Sequence, residues 1–163
     1  VSQTSPVGEI PLADPKKWAY TIAPGSAEGI LTGGNLTLMC ASLGTRYEID
    51  TTGKLLLLEE VETEPWIIDH SLSHLRNAGK LKDVAGVVIG ECKDCVPRKL
   101  DPGFYSDVSA EEGFEYYLKD LGVPVLYGLP LGHTEDLATL PMGVAARLDA
   151  GRKEFEILES GVL

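Results

Sequence analysis

Positive charge is scarce in this sequence, and long apolar runs are absent. Fourteen Lys+Arg stand against twenty-five Asp+Glu, a formal net charge of −11 over 163 residues. A field of that sign repels phosphate backbones, and no Lys/Arg cluster is dense enough to override it, so nucleic acid and anionic membrane surfaces are disfavoured as partners. The longest strongly apolar stretch, Leu55–Leu58, is far short of the roughly 18 residues needed to span a bilayer. Cysteine is limited to three residues, an odd number that makes no disulfide framework and argues for a reducing compartment such as the cytoplasm. The chain reads as soluble.

With 44% of its residues hydrophobic, a chain of this length has enough apolar material for one compact domain with a sizeable core. It begins at Val1 with a polar Ser/Thr/Pro segment that has neither a basic start nor an apolar stretch. It reads as a fragment or a processed product, and a targeting signal upstream stays open. Pro6, Pro11 and Pro15 mark residues 1–16 as a linker or extended lead-in, and residues 17–163 as the domain.

Periodicity then alternates between strand and helix. Gly29–Thr32 reads as a short strand running into Gly33-Gly34-Asn35, and Leu36–Leu43 as a helix with Asn35 as N-cap and Gly44 just past its end. Lys54–Glu60 is a continuous apolar run, as expected of a strand buried on both faces. Pro65 opens a helix with Ile68, Leu72 and Leu75 on one stripe, closed by Gly79. Val84–Ile89 is a second buried strand, and Gly90–Val108 a loop. Ser109 and Glu112 form a capping box for a helix to about Leu121, and Val123–Tyr127 is a third strand. Gly143–Asp149 and Glu154–Leu158 read as an antiparallel hairpin. The pattern predicts an α/β fold, parallel in the centre with an antiparallel addition.

Glu59 and Glu60 follow the Leu55–Leu58 run, at the strand end where reacting side chains collect in parallel sheets; two acids there also simply mark where a strand meets water. His133 holds the same position after another strand, in the Gly/Pro-shaped sequence Gly128-Leu129-Pro130-Leu131-Gly132. Imidazole exchanges protons near neutral pH and suits a general base, although a loop histidine is more often just solvated. Brought together, such an acid and imidazole are two-thirds of a hydrolytic triad. The nucleophile is missing: Gly25-Ser26-Ala27-Glu28-Gly29 does not match G-x-S-x-G and precedes a strand, so it forms no nucleophile elbow.

Three other groupings are weaker. Cys92-Lys93-Asp94-Cys95 is a C-x-x-C that could bind zinc or exchange disulfides, but no second ligand pair accompanies it. His70 and His74 have the spacing of a helical metal pair, yet fall opposite the apolar stripe and lack the glutamate a zincin would carry between them. Gly33-Gly34-Asn35 opens a helix whose free N–H groups could hold a carboxylate, or is only a tight turn.

Taken in order, several stretches resemble the C-terminal half of the LD-carboxypeptidase family, serine peptidases that include the muramoyltetrapeptide carboxypeptidases and the microcin C7 immunity hydrolases. They are Gly29-Ile30-Leu31-Thr32-Gly33-Gly34-Asn35-Leu36, Leu43-Gly44-Thr45, Gly53-Lys54-Leu55-Leu56-Leu57-Leu58-Glu59-Glu60, Pro65-Trp66-Ile67-Ile68-Asp69, Val88-Ile89-Gly90, Gly128-Leu129-Pro130-Leu131-Gly132-His133 and Leu140-Pro141-Met142-Gly143. The likeness runs over about residues 18–158.

The resemblance implies a swivelling β/β/α-like domain, with a parallel sheet against an antiparallel one and helices outside. It implies a Ser-Glu-His triad in which Glu59 orients the imidazole and His133 is the general base, with Glu60 on a neighbouring, usually acidic position. Cys95 matches a cysteine often seen after the Val-Ile-Gly strand, and His70 stands where the family commonly has arginine. The serine and oxyanion donors would lie on a separate N-terminal domain that has no counterpart here.

The implied parent activity is hydrolysis of an L,D peptide bond in murein tetrapeptides during peptidoglycan recycling, with no metal or other cofactor; a microcin-like peptide or another acyl amide stays open as substrate. The isolated chain is expected to be inactive. Its bare inter-domain face would favour a homodimer. The alternative is a non-catalytic module of the same fold that presents the Gly33/Gly34 helix start to a carboxylate ligand.

Overall fold

The computed structural model describes residues 6–10, 19–98, 108–135 and 137–162. In chain order the elements are β1 (Gly8–Glu9), β2 (Tyr20–Ala23), β3 (Ser26–Asn35), α1 (Leu36–Ser42), β4 (Leu55–Glu59), α2 (Pro65–Asn77), β5 (Gly86–Gly90), α3 (Ala110–Leu118), β6 (Val125–Leu129), β7 (Ala145–Asp149) and β8 (Glu154–Ile157). The strands line up as β1-β8-β7-β3-β4-β5-β6-β2. Strands β3 to β6 are parallel, and β2 closes their far edge antiparallel to β6.

Strand β3 belongs to both halves. Its first residues, Ser26–Ile30, pair antiparallel with β7, and its last, Leu31–Asn35, pair parallel with β4. The α/β expectation, with a parallel centre and an antiparallel addition, therefore holds.

Because side chains alternate along a strand, each central strand feeds two cores. Leu56 and Leu58 of β4, Val87 and Ile89 of β5, and Val125 and Tyr127 of β6 pack with Ile68, Leu72 and Leu75 of α2 and with Phe114 of α3. Leu55, Leu57, Val88 and Leu126 face the other way, onto Ala146, Leu148, Phe155 and Ile157 of the β7–β8 hairpin. The layers are thus helices, parallel strands, antiparallel strands. Consecutive parallel neighbours joined by right-handed crossovers put every helix on one face, which leaves the opposite face for the hairpin. Each leucine at zero exposure in β4 contributes about 1.5–3 kcal/mol of burial.

The helix ends match their sequence signals. Asn35 caps α1 by accepting from the Leu38 amide, Pro65 opens α2, and Ser109 and Glu112 close a reciprocal capping box on α3. Gly79, at φ +76°, ends α2 in the left-handed conformation.

Two strands escaped the sequence reading, and a third was read too short. Gly8–Glu9 lies inside the expected lead-in but pairs with β8, and Ile10 is buried; residues 11–16 and Lys17 lie outside the described residues. Tyr20–Ala23 is the edge strand β2. β3 runs ten residues where Gly29–Thr32 was expected, because Gly33 and Gly34 read as a turn and Ser26–Glu28 as lying ahead of the strand. Gly33 is instead a close approach: at φ +121°, a Cβ there would lie 2.0 Å from the Leu57 carbonyl oxygen. Part of the expected loop, residues 99–107, is outside the described residues.

Among the described residues, no helix is long and apolar enough to cross a membrane.

Candidate active site

Glu59 and Glu60 are neighbours in sequence and opposite in orientation. Glu59 ends β4, pairs with Asn35 in register, and continues the face of Leu55 and Leu57 toward the antiparallel layer. Glu60 turns to the helix layer. Both are buried. Glu60 Oε2 accepts from the Thr37 amide at 3.0 Å and the Thr37 hydroxyl at 2.7 Å, and its Oε1 accepts from Asn35 Nδ2 at 3.0 Å and the Val61 amide at 3.1 Å. This carboxylate therefore clamps the start of α1 to the end of β4, where its charge also suits the helix N-terminus.

His133 lies in the loop after β6, one strand beyond β5 from Glu59, and three glycines bring it across. Gly128 is an extra residue in the β5–β6 register: Ile89 pairs with Tyr127 and Gly90 with Leu129. This bulge, at φ +87°, breaks the alternation and turns Leu129 onto the face that Glu59 uses, as bulges characteristically do. Gly90 ends β5 under the crossing loop; a Cβ there would lie 2.5 Å from the Leu131 carbonyl oxygen. Gly132, at φ +95°, sits directly on Glu59, where a Cβ would fall 2.6 Å from Oε2. Leu131, 2% exposed, anchors the loop in the core between them.

The result is a hydrogen bond of 2.8 Å between His133 Nδ1 and Glu59 Oε2. An ionised carboxylate only accepts, so a neutral imidazole in this contact carries its proton on Nδ1 and leaves Nε2 with a lone pair. The carboxylate side chain is 9% exposed and the imidazole 53%. A buried acid thus fixes the tautomer of a ring that solvent or substrate can reach. Chemically, the arrangement can accept a proton at Nε2 and stabilise the imidazolium that forms.

The other predicted groupings do not join this pair. Ser26 starts β3, donates to the Leu148 carbonyl, and lies nine residues before the partner of Glu59, about 30 Å at strand rise. Its place at the opposite sheet end removes it as a nucleophile. The N-terminus of α1 is filled from within: the Thr37 amide goes to Glu60 and the Leu38 amide to Asn35. His70 and His74 lie on the exposed face of α2. The three cysteines are free thiols, and among the described residues no group of three His, Cys, Asp or Glu stands where it could hold a metal.

The sequence reading missed the structural work of Glu60, Gly90, Gly128 and Gly132. The adjacent acids did carry a signal, since alternation in a strand sends neighbours to opposite faces.

A buried acid and an imidazole thus meet at the carboxyl end of a parallel sheet backed by an antiparallel layer. The family model for the LD-carboxypeptidase C-terminal domain matches residues 28–148, and the chain belongs to that family.

It is 40% identical to a probable murein peptide carboxypeptidase of Bacillus subtilis over 141 residues, covering 86% of this chain and 43% of the relative. Among solved structures, the muramoyltetrapeptide carboxypeptidase from Oxalobacter formigenes superposes with a TM-score of 0.70 at 28% identity, over 91% of this chain and 52% of that one. The microcin C7 self-immunity protein MccF, in an inactive mutant apo state, superposes at 0.80 with 21% identity over 99% of this chain and 52% of that one, a likeness of fold. The chain thus spans about half the length of the relatives it matches.

Proposed function

We propose that this chain is the Glu-His half of a serine carboxypeptidase that cleaves an L,D peptide bond in murein tetrapeptides, with the nucleophilic serine and oxyanion donors on an N-terminal domain outside this sequence. The observation that carries the proposal is the 2.8 Å contact between Glu59 and His133, in a domain whose family relatives carry carboxypeptidase names. In this reading His133 Nε2 takes the serine proton as the hydroxyl attacks the scissile carbonyl. It then returns that proton to the leaving amine, and a C-terminal D-amino acid departs. Water, deprotonated by the same nitrogen, hydrolyses the acyl-enzyme. Glu59 holds the Nδ1–H tautomer throughout and offsets the positive charge of the imidazolium.

Exposed apolar side chains support a covering domain. Leu38 near the start of α1, Trp66 near the start of α2 and Val96 in the segment after β5 are all exposed. By topology all three lie at the sheet end that holds the pair. Alone, the chain would lack nucleophile and oxyanion stabilisation and show negligible turnover. A cytoplasmic place in murein peptide recycling belongs to the same proposal, resting on the free thiols.

The test is a chimaera in which this chain replaces the matched part of the Bacillus subtilis relative. Release of D-amino acid from a murein tetrapeptide, lost on His133→Ala and Glu59→Ala, is the expected outcome. A folded chimaera that cleaves equally well without His133 would overturn the assignment.

A further inference from the structure

Cys92 and Cys95 stand outside that chemistry, and the fold joins them more closely than their spacing alone implies. They are the first and last residues of a turn directly after β5: the Cys95 amide donates to the Cys92 carbonyl at 3.3 Å, and Asp94 takes the left-handed conformation at φ +57°. A β-turn keeps its end α-carbons within about 7 Å, overlapping the span of a disulfide. Both thiols are free; Cys92 Sγ donates to the Gly90 carbonyl at 3.9 Å and Cys95 Sγ to the Lys93 carbonyl at 3.6 Å. The turn is also fastened to the segment that follows Glu59. Val61 and Lys93 form a parallel bridge, and the Glu62 amide donates to the Lys93 carbonyl at 2.8 Å.

From this geometry we infer that Cys92 and Cys95 form a reversible dithiol–disulfide centre, oxidised by peroxide, in the turn after β5 that is fastened to the segment following Glu59 and Glu60.

The electrostatics divide the two roles. The neighbouring Cys92 thiol, helped by the Thr63 backbone, holds the Cys95 thiol below its ordinary range. Cys92, beside Cys95 and further burdened by burial, is pushed well up. Cys95 is therefore the attacking thiolate and Cys92 the resolving thiol. Cys92 is half-buried and Cys95 buried, which favours an oxidant as small as hydrogen peroxide. Cys40 lacks such a partner: it donates to the Ser71 carbonyl at 3.4 Å, and burial pushes its thiol up.

In the first step the Cys95 thiolate attacks one peroxide oxygen. The O–O bond breaks, Cys95 becomes a sulfenic acid, and the departing hydroxide takes up the proton that Cys95 had released. In the second step the Cys92 sulfur attacks the sulfenic sulfur. The S–S bond forms, the S–O bond breaks, and the hydroxyl leaves as water with the Cys92 proton. Two thiols lose two electrons, and one peroxide gains two and becomes two waters.

The experiment treats the full 163-residue chain with hydrogen peroxide and follows intact mass, thiol titration and peptide mapping. The expected result is loss of two hydrogens, a fall from three titratable thiols to one, and a peptide linking Cys92 to Cys95, all reversed by dithiothreitol. Cys40→Ser should leave the crosslink unchanged. Cys92→Ser should abolish it and leave a Cys95 sulfenic acid that dimedone traps. Three thiols persisting after treatment, or Cys95 passing to sulfinic acid in the wild-type chain without a crosslink, would overturn the inference. The readout is covalent and independent of any peptidase activity, so its failure is distinguishable from failure of the proposed function.

Discussion

The α-carbon of Gly132 rests against the carboxylate of Glu59, so closely that a Cβ would stand 2.6 Å from Oε2 and 3.0 Å from the Glu59 Cβ. With φ at +95°, any side chain at this position meets both backbone strain and a clash with a buried acid. Gly132→Ala should therefore lower the stability of the chain by about 1–3 kcal/mol, read as a lower urea or thermal midpoint. Gly90→Ala should act in the same direction through the Leu131 carbonyl. A Gly132→Ala chain with an unchanged midpoint would show that the loop can move away from Glu59 at little cost.

Glu59→Gln tests the tautomer argument without needing substrate. In the wild-type chain, nitrogen chemical shifts of the neutral His133 imidazole should report the Nδ1–H form, because the carboxylate at 2.8 Å only accepts. A glutamine can instead offer its amide hydrogens, and the Nε2–H form should then become populated. In the active chimaera the same change should reduce kcat on the order of 10⁴-fold, the scale at which a wrong tautomer costs a serine hydrolase. Identical shifts in both proteins would remove Glu59 from that role.

Much of this was legible in the sequence, and the limits have physical causes. The buried strand expected over Lys54–Glu60, found as Leu55–Glu59, and the capping signals of Pro65 and Ser109 are local, and they survive folding. Gly33 was misleading because glycine is depleted in strands generally, whereas here the missing side chain is what allows β3 to run past Leu57. Gly8–Glu9 and Tyr20–Ala23 are edge strands whose pairing depends on partners more than a hundred residues away. No local pattern marks them. The resemblance to a family placed Glu59 and His133 as a pair; the residues alone gave two strand ends, and the bulge at Gly128 with the close approaches at Gly90 and Gly132 explains how the second reaches the first.

Glu60 should behave unlike its neighbour. Its carboxylate accepts four hydrogen bonds that hold Asn35, Thr37 and Val61 together. Glu60→Gln replaces one acceptor oxygen with a donor that faces other donors, and removes the charge at the start of α1. A loss of about 2–4 kcal/mol is expected, given the strength of charge-assisted bonds and the cost of leaving buried partners unmatched. Glu59→Gln, with one protein partner, should cost clearly less. Equal losses at the two positions would contradict the division of work between the two strand faces.

Alkaline pH should expose the tyrosine pair under α3. Tyr127 stacks on Tyr20 with ring centres 5.1 Å apart and donates its hydroxyl to Glu111 Oε1 at 3.1 Å. Burial, with nearby acidic charge, pushes the Tyr20 phenol up to about 12 and Tyr127 higher still. An unfolded tyrosine titrates near 10, so the folded state holds these protons more tightly. The stability linked to them is complete below pH about 10 and falls as pH rises above it, through the folded value near 12 for Tyr20 and beyond it for Tyr127. The unfolding midpoint should accordingly fall between pH 10 and 12 in the wild-type chain. Tyr127→Phe, which removes the more strongly shifted phenol, should flatten that fall while costing about 1 kcal/mol at neutral pH for the lost hydrogen bond. An equally steep decline in the variant would assign the alkaline transition to other groups.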